Sequence, residues 1–99
     1  MDTNVKNFLK QLLQDGGQTG LPIEIEEQLL EDLNQRLEQK LILVAIDNLV
    51  PEKQAELHEM TEKGGKPEEI MIFLRANIVD LDQLFRNAME EFRNTYLAN

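Results

Sequence analysis

The chain has one histidine and no cysteine, and it has no serine either, so few side chains can serve as ligand or nucleophile. His58 and Glu62 stand one helical turn apart and could share an ion. A zinc-type site wants three or four ligands, and only these two are in view. A di-iron bundle needs two Glu-x-x-His pairs, and the residue three before His58 is Ala55. Thr61 lies three residues after His58, so the two could touch on one helix. Nothing in that polar stretch shields or orients the threonine as a nucleophile. Glu24, Glu26, Glu27, Glu31 and Asp32 form the densest acidic cluster. Calcium usually takes about six to eight oxygens from a loop with a glycine turn. This cluster falls on a helical pattern instead, where it complements the positive end of the dipole. Gly16-Gly17-Gln18-Thr19-Gly20 lacks the Lys-Ser/Thr ending of a phosphate loop and follows no strand, so it reads as a linker. No catalytic, cofactor-binding or metal-binding residue is expected from these patterns, and the chain is expected not to be an enzyme.

Composition narrows the classes further. The 99 residues suit one domain, 1–99. Hydrophobic residues at 41% and charged residues at 29% are globular values. Acidic residues outnumber basic ones 19 to 10, giving a net charge of −9. That balance opposes nucleic acid and anionic membrane as partners. A helix–Gly64-Gly65–helix outline is present. The helix it would offer for base reading opens with Pro67-Glu68-Glu69, the wrong charge for DNA. The longest apolar run, Leu41 to Ile46, is far short of the roughly 20 residues a membrane span needs. The opening Met1-Asp2-Thr3-Asn4-Val5-Lys6 is not a secretory signal, so a cytoplasmic location is expected.

The elements that would position these side chains are helical. Pro22, Pro51 and Pro67 each precede glutamates, the pattern of a helix start. Gly16-Gly17 and Gly64-Gly65 suit left-handed caps at helix ends. Helix 1 is expected over Thr3 to Asp15, capped by Asp2 or Thr3, with Val5, Phe8, Leu9, Leu12 and Leu13 on one face. Helix 3 runs from about Pro51 to Lys63 with a weak apolar seam of Ala55, Leu57 and Met60. Helix 4 runs from about Pro67 to Asn77 and holds Ile70-Met71-Ile72-Phe73-Leu74. Helix 5 runs from about Leu81 to Leu97 behind an Asp80 cap, with the stripe Leu81, Leu84, Phe85, Ala88, Met89, Phe92 and Tyr96. The fold class is all-α, an irregular bundle of about five helices.

Helix 2, from about Pro22 to Asn48, is the long central element. Leu29, Leu30, Leu33, Leu37, Leu41 and Val44 form a stripe roughly 120° wide. Ile42, Ala45, Ile46 and Leu49 then occupy the side that is polar earlier. A helix apolar all round is surrounded by protein, so Leu41 to Leu49 is expected to be the hub of the core. At about 1.5 Å per residue the helix spans roughly 39 Å. A compact domain of this size is only about 34 Å across. The protomer must therefore be elongated, or the helix must lie within a dimer.

Phe8-Leu9 with Leu12-Leu13, the Leu21-Pro22 start, the Leu30/Leu33/Leu37 ladder and Leu49-Val50-Pro51 form one set of landmarks. Phe73-Leu74, Ile78-Val79-Asp80-Leu81 and Phe92-Arg93 with Tyr96-Leu97 complete it. Together they resemble a small all-helical bacterial family of unknown function, found mostly in candidate-phylum genomes. The resemblance spans nearly the whole chain. It implies one compact helical domain and carries no catalytic residues.

Function is expected to lie in surplus apolar surface. Two apolar faces late in helix 2 and an almost wholly apolar helix 4 exceed what 99 residues can cover. The first expectation is a non-enzymatic structural or interaction module, self-associating as a dimer or bound to another helical protein. Ile42, Leu43, Ile46, Met71 and Phe73 are its expected interface. The second is an acidic decoy or inhibitor that docks onto a basic protein, such as a nucleic-acid-binding one, through Glu24, Glu27, Glu31 and Glu38. No cofactor is expected under either.

Overall fold

The computed structural model describes residues 2–98, so positions 1 and 99 of the expected domain lie outside the described residues. It contains helices α1 (Thr3–Asp15), α2 (Ile23–Asp47), α3 (Pro51–Glu62), α4 (Pro67–Asn77) and α5 (Leu81–Leu97). No strand occurs among the described residues, and the all-α class stands.

Most helix boundaries follow from local chemistry. The Asp2 carboxylate accepts from the backbone N–H groups of Asn4 and Val5, at 2.7 and 3.3 Å, satisfying donors that the first turn leaves unpaired. α1 stops where Gly17 turns left-handed at φ +84°. Gln18 N–H then reaches back to Leu13 C=O at 2.9 Å. α3 ends the same way, with Gly64 at φ +77° and Gly65 N–H donating to Met60 C=O at 2.8 Å. Pro51 and Pro67 are the first residues of their helices, while Pro22 sits just ahead of α2.

Asp80 departs from expectation. It adopts the left-handed conformation at φ +54°, and its carboxylate caps nothing. Aspartate tolerates that conformation better than most residues. Asp80 therefore supplies the bend between α4 and α5 with its backbone.

The long helices α2 and α5 run side by side through the molecule and join two apolar clusters. The first cluster holds Leu9, Leu12 and Leu13 of α1 with Leu30, Leu33 and Leu37 of α2, and Met89, Phe92, Tyr96 and Leu97 of α5 pack against it. The second holds Ala45, Leu49, Leu57, Leu74, Ile78 and Leu81. Each fully buried leucine contributes about 1.5–3 kcal/mol of transfer free energy. The molecule measures 47 × 25 × 20 Å with a radius of gyration of 15.2 Å. A compact chain of this length would have about 13 Å. The long helix is accommodated by the elongated shape of the chain.

The expected hub is where the structure corrects the sequence reading. Within Leu41 to Leu49, only Ala45 and Leu49 are buried, while Ile42 is 51% and Leu43 62% exposed. The reason is length. α1 covers about 20 Å of a helix nearly twice as long. It sits on the N-terminal half of α2, and the C-terminal half is covered only by what α3, α4 and the start of α5 provide. The deepest packing is therefore at Leu9, Leu12 and Leu37.

Candidate functional site

The partly covered half of α2 carries the most distinctive surface. One groove of about 420 Å³ lies between α2, α3 and α4. Its walls are Ile42, Ala45, Ile46, Leu57, Ile70 and Leu74, with Gln54, His58 and Thr61 on the α3 side. A second, of about 280 Å³, lies between α2, α4 and α5 and is bordered by Glu38, Leu41, Ile42, Met71 and Phe85. The two share Ile42, Ile70 and Leu74. Ile42 is thus a ridge between two apolar depressions.

Local folding explains why these walls are apolar. Gln54 donates its side-chain amide to the carbonyls of Ile46 and Leu49, at 2.8 and 3.2 Å. One carbonyl lies in the last turn of α2 and the other in the turn that follows it, and Gln54 ties both to α3. The Thr61 hydroxyl donates to Leu57 C=O at 2.9 Å. Of the three polar side chains that border the groove, Gln54 and Thr61 are thereby engaged with the protein's own backbone, and His58 meets Glu62. What remains toward the groove is mainly hydrocarbon.

The residues expected at an interface divide between these places. Ile42 borders both grooves, Ile46 the first and Met71 the second. Phe73 is half-buried and faces a separate shallow cleft with Glu56, Glu59, Met60 and Lys63. Leu43 is exposed but borders neither groove. Ile70 and Leu74 were absent from the expected set, although their i, i+4 spacing on α4 is a helical-face signal. Gln54 had no such signal, since its role depends on how α3 folds back under α2.

The candidates for chemistry stay apart. His58 Nε2 meets Glu62 Oε1 at 3.1 Å on an open surface. Thr61 turns to the backbone rather than to His58. Among the described residues, no three His, Asp or Glu side chains are grouped to hold a metal ion. Glu24, Glu27 and Glu31 are exposed, with no cation within ion-pair distance among the described residues. Asp32 pairs with Arg36 at 2.9 Å. Glu38 accepts from Asn34 at 3.2 Å and borders the second groove.

One carboxylate has a clearly altered titration. Asp15 accepts from Arg93 Nη1 at 2.6 Å and from Gln11 Nε2 at 2.9 Å. The Arg93 hydrogen bond, then that of Gln11, holds the Asp15 carboxyl below its ordinary value of 3.8. This pair ties the end of α1 to α5, away from the grooves, and serves the fold.

No helix among the described residues is long and apolar enough to cross a membrane. Comparison of the chain with protein-family models, with curated proteins and with solved structures finds no match to any of them.

Proposed function

We propose that this chain is a non-enzymatic protein-interaction module. Its working surface is the C-terminal half of α2 together with α3 and α4, covered by a second copy of the chain or by another helical protein. The observation behind this reading is the exposed Ile42 ridge between two apolar grooves. Exposed apolar surface of this shape suits a helix laid into a groove.

The test substitutes Ile42→Asp and measures both stability and association. Ile42 is half exposed, so the substitution should cost no more than about 1 kcal/mol of folding free energy in urea titration. Sedimentation velocity over a range of concentrations then reads self-association in both forms. Concentration-dependent pairing that the variant loses supports the second copy. A strict monomer in both forms leaves the other helical protein. Destabilisation of about 3 kcal/mol or more would place Ile42 in the intrachain core and remove the reading.

A second reading draws on charge. Glu24, Glu27 and Glu31 stand exposed and without a cationic partner among the described residues. They support an acidic decoy or inhibitor docked on a basic protein, an association that salt would weaken.

A further inference from the structure

The five helices pack as two unequal groups. α2 and α5 lie close along each other, and α1 packs on both. α3 and α4 lie close to each other but approach α2 and α5 only loosely. Burial follows the same division. α1 buries Leu9, Leu12 and Leu13, whereas α3, of similar length, buries Leu57 and α4 buries Leu74. Ile70, Met71 and Phe73 of α4 are only partly buried, and Ile72 is 69% exposed. The spaces of about 420 and 280 Å³ lie along the seam between the two groups. A seam with few buried side chains and open space beside it holds less tightly than the packing around Leu9 and Leu37.

Both connections to the α3–α4 pair lie at one end of it. Asn48, Leu49 and Val50 lead into α3, and Ile78, Val79 and Asp80 lead out of α4. Leu49 and Ile78 are buried in one apolar cluster, which brings the two connections together. Val50 and Ile78 are extended and Asp80 is left-handed, so each connection breaks the helical backbone. One polar tie crosses beside each. Gln54 Nε2 donates to Ile46 C=O of α2 at 2.8 Å, and Arg75 Nη1 meets Asp82 Oδ1 of α5 at 2.9 Å. The Arg75–Asp82 pair is more than half exposed and contributes little. Toward the Gly64-Gly65 tip, His58 pairs with Glu62 and Lys63 with Glu59. These ion pairs stay within the hairpin and do not bind its tip to α2.

We propose that α3 and α4 form a hinged hairpin that opens from the body of α1, α2 and α5 as one unit while the body stays folded. The motion turns at residues 49–50 and 78–80, and Gln54 is its latch. Opening parts Leu57 and Leu74 from Ala45 and joins the two grooves into one apolar face. The hinge belongs to the chain itself and stands whether or not a partner covers that face.

Native-state hydrogen exchange of the intact chain, read by mass spectrometry in urea below the unfolding transition, tests this. Relative to their unstructured rates, amides of α3 and α4 should exchange at least about tenfold faster than those of residues 9–13 and 30–37. The two helices should share one opening with a small urea dependence, because opening exposes little surface. Residues 9–13 and 30–37 should instead show the full urea dependence of global unfolding. Gln54→Ala removes two hydrogen bonds. It should speed exchange across both α3 and α4 by about tenfold and leave residues 9–13 unchanged. Equal protection and equal urea dependence in all five helices of the native chain would make the molecule one cooperative unit and overturn the hinge. Opening of α4 while α3 stays as protected as the body would overturn the hairpin as the moving unit. Gln54→Ala that speeds α1 as much as α3 and α4, or that unfolds the chain, would make Gln54 a support of the whole fold and overturn its part as latch. The native chain's own exchange pattern then still decides the hinge. All these outcomes are read without a partner, so they are separate from the association test of Ile42→Asp.

Discussion

At the end of the molecule built from α1, the first half of α2 and the second half of α5, Leu9 and Leu12 lose all their solvent exposure and Leu37 keeps 1%. At the other end, α3 and α4 close over the second half of α2, yet Ile42 and Leu43 stay more than half exposed and two grooves remain. Both ends are rich in apolar side chains, leucines and aromatic residues at the first and leucines with isoleucines at the second. Coverage differs. α1 lays its Leu9, Leu12 and Leu13 directly on α2 and is flanked by α5, so every leucine there meets neighbours on several sides. α4 lies close along α3 and less closely along α2, and the space between becomes the grooves. Apolar content alone therefore does not say where the core is. The number of helices that can reach a given stretch decides it.

The largest expected effect tests that contrast directly. Leu12→Ala or Leu37→Ala at the closed end should each cost about 3–5 kcal/mol in urea unfolding, because a cavity opens in packing that cannot collapse. Leu74→Ala borders both grooves already, so its cost should fall near the lower limit of such substitutions, about 2 kcal/mol. Equal losses at both ends would erase the difference drawn from burial.

A smaller effect separates packing from local backbone chemistry. Gly17 and Gly64 hold equivalent left-handed caps, one at each end of the molecule, and a Cβ at either would meet open space. Gly17→Ala and Gly64→Ala should therefore each cost about 1–2 kcal/mol from conformation alone, in spite of the difference in packing. A large inequality between them in thermal unfolding would show that the two ends differ in backbone strain as well as coverage.

The smallest effect is a pH dependence confined to the closed end. The folded-state pKa of Asp15 is lowered, chiefly by Arg93. Its contribution to stability is thus fully present above the unfolded value. That contribution is lost as the pH falls below 3.8 through the lowered folded value. The stability gap between the native chain and Asp15→Asn should be constant near neutral pH and shrink on acidification below that value. A gap independent of pH would mean that Asp15 and Arg93 act through packing alone.

Much of this was legible in the residues. Each expected helix is present, because Asp2, Gly17, Gly64, Pro51 and Pro67 act through chemistry within a few residues of their own position. The stripe on α5 and the Leu30/Leu33/Leu37 ladder are buried or half-buried as their spacing implies. Asp80 shows where local reading stops: the same residue type can cap a helix or bend into it, and the path from α4 to α5 selects the bend. The stretch Leu41 to Leu49 shows it more strongly. Its periodicity gave two apolar faces, and the sequence held no measure of how far α1 would reach.

What the chain determines by itself is the set of helices, their apolar stripes and the surplus of negative charge, since each is written in neighbouring residues. Tertiary structure alone decides which stripe is sealed and which is left as a ridge between grooves. It also decides that Gln54 stitches α3 to the end of α2 and that Arg93 reaches Asp15. Such contacts depend on the lengths and crossing of whole helices, quantities that no short window of sequence contains.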